Sequence, residues 1–186
     1  MIKRLIWPVL LSLILMQPCI GYAQNKQQLK IGDDFPGFFS TDLEGNMFFL
    51  KDHIGEDAEF KHAGIIFSFC ASWCKPCKKE IPELEKLHAK YADKGIAAYL
   101  IAVGEDKTKV GEFISDLGTS LPVLVDRYQK ALEQVGRPGL PHTVFIDRAG
   151  KVRFVNTGFS ENTAGEIMER LENEIKTVAD SGSSSE

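Results

Sequence analysis

The stretch FSFCASWCKPCKKEIP, residues 67–82, places Cys70, Cys74 and Cys77 within eight positions. Cys74 and Cys77 are separated only by Lys75 and Pro76, a spacing that lets two thiols close a small disulfide and reopen it. Cys74 stands where an apolar run ends and a helical periodicity begins, so unpaired N–H groups and the helix dipole favour its thiolate. Lys75 adds a positive charge, and Pro76 falls in the first helical turn, where its missing N–H costs nothing. These features predict Cys74 as the exposed, partly ionised nucleophile and Cys77 as the thiol that resolves a mixed disulfide on it. Glu80 lies three residues after Cys77 on the same helix face. A carboxylate there either shuttles a proton for the resolving thiol or is an ordinary solvated helix charge.

Other uses of the pair fit less well. A structural zinc site needs a second pair of ligands, and His53, His62, His88 and His142 form no spaced pair in the sequence. No metal and no cofactor are therefore expected. A peroxidase of the peroxiredoxin type calls for Thr three residues before its cysteine, where this chain has Ala71. A structural staple closing so few residues would restrain little. Cys70 reads as a small buried hydrophobe. A copper-handling module, with the thiols and His142 holding Cu(I), stays open as a different class of function.

At 186 residues with 44% hydrophobic and 26% charged positions, the chain has material for one core. A net charge of −4 shows no basic field, so nucleic acid is not an expected partner. Residues 1–23 read as a signal peptide. Lys3 and Arg4 precede an apolar run from Leu5 to Met16, and Gly21 and Ala23 fit cleavage before Gln24. The run is shorter than the roughly 20 residues of a membrane span. Met16-Gln17-Pro18 is a poor lipobox for Cys19, so an uncleaved or lipid anchor is the weaker reading. Export to the periplasm or cell envelope follows, where disulfides persist unless actively reduced.

The elements that must hold the pair are legible from periodicity. Residues 24–32 read as a polar leader, and apolar runs either side of Glu44-Gly45-Asn46 predict an N-terminal hairpin. Continuous apolar runs at 63–69 and 95–103 predict buried strands. Cys77, Ile81, Leu84, His88 and Tyr91 recur at helical spacing to about Ala92, with Pro82 removing one helical hydrogen bond. A second helix ends at Gly118, a short strand at 121–125 and a short helix follow, and a hairpin turns at Arg148-Ala149-Gly150. A final helix runs from an N-cap at Ser160 to Val178, leaving 179–186 as a flexible tail. Residues 33–178 thus form one α/β domain, a central mixed β-sheet flanked by helices on both faces.

The motif Trp73-Cys74-x-Pro76-Cys77, then Glu80-x-Pro82, then Gly139-x-Pro141 before a strand, resembles the thioredoxin superfamily, specifically the exported TlpA/ResA-like thiol-disulfide oxidoreductases. The resemblance covers roughly residues 30–178, and the DLEGN hairpin is similar to that family's N-terminal extension. It implies a thioredoxin-like fold with a redox-active Cys74–Cys77 disulfide. It also implies that Pro141 is a cis-proline, with Leu140 presenting its backbone to an incoming peptide. Trp73, Lys75 and Pro76 complete the substrate-docking face, and a Glu at position 80 matches the family pattern. The implied partners are protein thiols or disulfides, among them apocytochrome c, and a membrane-embedded thiol-electron donor. Net disulfide reduction is the expected direction, with oxidation or isomerisation as the alternative. Ser68 stands where thioredoxins carry a buried Asp, which leaves Glu80 as the base available to Cys77. His142 departs from the small residue or Thr expected after the cis-proline.

Overall fold

A computed structural model of the chain describes residues 28–182. The segment read as a signal peptide, residues 24–27 of the polar leader and residues 183–186 lie outside the described residues. Five strands form one sheet in the order β5-β4-β3-β6-β7: β3 (Gly64–Cys70), β4 (Ile96–Val103), β5 (Val123–Asp126), β6 (His142–Asp147) and β7 (Val152–Thr157). β5, β4 and β3 run parallel, while β6 pairs antiparallel with both β3 and β7. The helices are α1 (Lys75–Tyr91), α2 (Lys107–Leu117), α3 (Lys130–Gln134) and α4 (Glu161–Gly182). This mixed sheet, with its crossover helices and closing hairpin, is the expected thioredoxin-like arrangement.

Every residue of β3 is buried, because neighbours flank it on both edges and both sheet faces are covered. Its side chains alternate between two cores. Ile66 and Cys70 join Leu84, Phe113, Leu171 and Ile175 from α1, α2 and α4. Ile65, Phe67 and Phe69 join Phe35, Phe48 and Leu132, so the second face is covered mainly by the N-terminal segment and α3. That segment holds a separate hairpin, β1 (Phe39–Thr41) with β2 (Met47–Phe49). Its turn is organised by Asp42, whose Oδ1 accepts the N–H groups of Gly45 and Asn46 at 2.7 and 2.8 Å, with Gly45 at φ 99°.

Four expected details change. The buried face of α1 takes Leu87 rather than His88, which is half-exposed. Helix α4 does not stop at Val178. Ala179 is still buried and the helix continues to Gly182, so the first part of the expected tail is packed structure. The fold also begins before residue 33: Leu29 packs on the second core, and Gly32 donates its N–H to Val152 O at 2.8 Å. Ser160 does precede α4, but its hydroxyl lies 2.9 Å from Thr163 Oγ1 instead of capping a backbone N–H.

Candidate active site

The parallel strands end on a common rim, and the loop after β3 carries Cys74 onto it as the N-cap of α1. Cys74 and Cys77 are disulfide-bonded, with Cα atoms 5.3 Å apart. The Cys77 N–H donates to Cys74 Sγ at 3.2 Å. A sulfur held at that point is aimed at the positive end of the helix, which stabilises a thiolate once the bond is reduced. Cys74 was expected to be exposed, yet it keeps only 3% of its surface and Cys77 none. The reason is the capping geometry, which turns Cys74 Sγ back onto the helix and seats it in the first core. Cys74 is still the member of the pair nearer to solvent. Trp73 is 66% exposed, which excludes a packing role, and Lys75 and Pro76 are exposed beside it.

Glu80 is fully buried, not a solvated helix charge. Ser68 Oγ donates to one carboxylate oxygen at 2.9 Å and Thr143 Oγ1 to the other at 2.8 Å. The arrangement follows from sheet register. Ser68 on β3 is paired with Thr143 on β6, so two hydroxyls stand side by side on the face that α1 covers. Burial pushes the Glu80 carboxyl up to about 7, against the lowering pull of the Thr143 and Ser68 hydrogen bonds. A carboxyl so placed exchanges a proton near neutral pH. Its helix spacing of three from Cys77 puts the two on one side of α1. Thr143 was not singled out from the sequence, although strand alternation from Pro141 would have put it on this face.

The Leu140–Pro141 peptide bond is cis, as the resemblance implies. Pro141 is buried and its carbonyl accepts the Gly158 N–H at 2.7 Å, while Leu140 is half-buried against both cores. His142 does not share the face of Thr143. Alternation turns it to the opposite side, where its ring lies 5.8 Å from Phe69 and Nδ1 is 2.9 Å from Thr157 Oγ1. Gly136 and Arg137 carry φ 88° and 51° in the approach to the cis-proline, so that loop has a distorted course of its own. Cys70 is buried on β3, and burial together with the negative charge of Glu80 and Glu105 pushes its thiol up, keeping it protonated.

Glu105 is a second buried carboxylate that the sequence reading passed over. It follows β4 and accepts the Ser72 N–H at 2.7 Å and the Ser72 hydroxyl, and it pairs with Lys109 Nζ at 2.9 Å. Burial raises its pKa, but the Ser72 bonds and Lys109 outweigh that and leave it below the usual carboxylate range. Glu105 thereby ties the loop two residues before Cys74 to the end of the neighbouring strand. Replacing it with Ala leaves the Ser72 amide without its acceptor. The expected result is a stability loss of about 2 kcal/mol and faster amide hydrogen exchange at Ser72 and Trp73. Unchanged exchange at both amides would show that the tie is dispensable.

Two histidines that form no spaced pair in the sequence meet in space. His53 and His62 do come together, with Nδ1 of the first 3.2 Å from Nε2 of the second, under the hairpin beside Phe48. Among the described residues no group of three or more His, Cys, Asp or Glu is placed to hold a metal ion. Nor is any described helix long and apolar enough to cross a membrane.

Comparison with known proteins agrees with this geometry. The AhpC/TSA family model matches residues 31–155. Thiol-disulfide oxidoreductase ResA of Bacillus thuringiensis (strain Al Hakam) is 33% identical over 181 residues, covering 95% of this chain and 97% of its own. The ResA of Geobacillus thermodenitrificans (strain NG80-2) is 31% identical over 176 residues, covering 91% and 95%. Among solved structures, a candidate thiol:disulfide interchange protein DsbE from Chlorobium tepidum superposes with a TM-score of 0.70 at 26% identity, covering 82% of this chain and 99% of its own. A candidate protein disulfide isomerase from Bacteroides thetaiotaomicron gives 0.67 at 25% identity, covering 80% and 91%. The relatives span nearly the whole chain and the CxxC pair sits where a redox centre would, so the protein belongs to the AhpC/TSA family as a ResA-like thiol-disulfide oxidoreductase.

Proposed function

We propose that the protein is exported and reduces disulfides in other exported proteins, with Cys74 attacking, Cys77 resolving and Glu80 managing the proton. The observation that carries this reading is the Cys74 sulfur capping α1 with the buried Glu80 one turn behind Cys77. In the reduced protein the Cys74 thiolate attacks a substrate disulfide, forming a mixed disulfide and releasing one substrate thiolate, which takes a proton from solvent. Cys77 then gives its proton to Glu80 and attacks the Cys74 sulfur. The second substrate sulfur leaves as a thiolate and takes the proton from Glu80, which returns to its ionised form, and the Cys74–Cys77 disulfide remains. A dithiol donor must reduce it again, and a membrane-embedded thiol relay fits a protein exported by residues 1–23. Trp73, Lys75, Pro76, Leu140 and Pro141 surround the pair as the docking face. Apocytochrome c, whose haem-binding cysteines need to be kept reduced, is the substrate class we favour.

Insulin reduction driven by dithiothreitol tests the reading cheaply. The purified protein is expected to accelerate it and to bind no stoichiometric Cu(I) once the pair is oxidised. Stoichiometric Cu(I) binding by the reduced protein with no acceleration would favour the copper-handling alternative. The direction of flow is tested by equilibration with glutathione. A reductase lies near the thioredoxin end of a range roughly 150 mV wide, and an oxidase near the other end.

A further inference from the structure

On the rim that carries Cys74, a groove of about 890 Å³ opens between β1, the loop after β5 and the start of α2. Its apolar side chains are unusually exposed: Phe39 at 69%, Met47 at 51% and Tyr128 at 76%. The groove belongs to the same end of the sheet as the disulfide, because Glu105, which holds Ser72, is followed directly by Asp106 and Lys107 of its wall. Its charge runs against that of the chain, which is −4 overall. Lys107 on one wall and Arg127 on the other are exposed, and neither has an ion-pair partner among the described residues. The acidic groups present are committed. Asp126 is buried and accepts the N–H groups of Lys130 and Leu132, and Asp106 caps α2 through Lys109 N–H.

We infer that this groove docks an extended segment of the substrate protein in which apolar and acidic side chains alternate. In an extended chain successive side chains point to opposite sides. One set can therefore pack on the exposed side chains of Phe39, Met47 and Tyr128 while the other meets Lys107 and Arg127, whose guanidinium lies 5.8 Å over the Tyr128 ring. Two strand spacings, about 10 Å, separate β3 from β5, so the segment lies at least about three residues along the substrate from its reacting cysteine. Such a site selects among disulfides by what flanks them, which a reductase working among folded, disulfide-bonded neighbours requires. The inference rests on the reductase reading only in taking the occupant to be a substrate.

The test uses the ¹⁵N-labelled oxidised protein and a cysteine-free, end-blocked heptapeptide that alternates Asp or Glu with Phe or Leu. Chemical shifts are expected to move at Thr41, Lys107, Arg127 and Tyr128, and a Lys107→Glu/Arg127→Glu double variant should bind at least tenfold more weakly. The same peptide with Lys in place of its acids should not bind. Cys74→Ser should bind the peptide as well as the native chain does. The reduced double variant should react with a small aromatic disulfide at the native rate, which separates docking from chemistry. Equal binding by the double variant or of the Lys peptide would overturn the inference. So would shifts at these residues that follow protein concentration alone, marking a second copy as the occupant, or displacement of the peptide by anionic vesicles. Absence of peptide binding alongside intact insulin reduction would remove the groove and leave the redox reading standing.

Discussion

Replacing Cys74 with Ser is expected to lower insulin reduction by at least about a thousandfold, equivalent to about 4 kcal/mol of barrier. The substitution keeps the size and position of the side chain but removes the atom that forms the mixed disulfide. A serine hydroxyl at the same N-cap still accepts the N–H that Cys74 Sγ accepts from Cys77, so the start of α1 survives. The fold should lose only the restraint of a very short disulfide loop, which far-ultraviolet circular dichroism and a thermal melt will report. Cys70→Ala is the matched control. Its thiol is buried on β3 and held protonated, so turnover should stay within about twofold while stability falls by roughly 1 kcal/mol. Comparable loss of turnover in both variants would mean that Cys70 takes part in the chemistry.

The second large effect is that of Glu80→Gln. Glutamine fills the same space and can still bond the hydroxyls of Ser68 and Thr143, but it cannot accept a proton from Cys77. Turnover at neutral pH should drop by about a hundredfold or more. In the native protein the rate should rise between pH 6 and 8 as Glu80 ionises about its pKa near 7, and the variant should lose that segment of the profile. Stability moves in the opposite direction. The folded pKa lies above the unfolded value of 4.5, so the contribution is fully present below pH 4.5 and is lost as pH rises through 7. The loss is on the order of 3 kcal/mol, and urea unfolding at pH 5 and pH 8 should show it in the native chain and not in Glu80→Gln. Thr143→Val gives a further check. Removing a donor that lowers the Glu80 pKa should push the rate profile to higher pH.

Much of this site is legible in the sequence. The CxxC pair, the strand-to-helix junction and the position of Glu80 follow from spacing along one helix, and the cis-proline from resemblance. What spacing along the chain does not reveal is what the fold brings across strands. Ser68 and Thr143 are 75 residues apart in number, yet they become adjacent through β3–β6 register and turn Glu80 from a surface charge into a buried acid. Glu105 reaches Ser72 only because β4 lies beside β3. His53 and His62 meet through a loop whose course no periodicity describes. Even the exposure of Cys74 was misjudged for a local reason, since a capping sulfur must face its own helix.

The central claim, that Cys74 attacks and Cys77 resolves, is tested most directly by a Cys77→Ser chain produced in the cell envelope and trapped with acid. Mixed disulfides between Cys74 and exported proteins are expected, absent when Cys74 is also replaced by Ser, with the captured partners identified by mass spectrometry. A Cys77→Ser chain that captures no protein, or captures partners through Cys70, would contradict it.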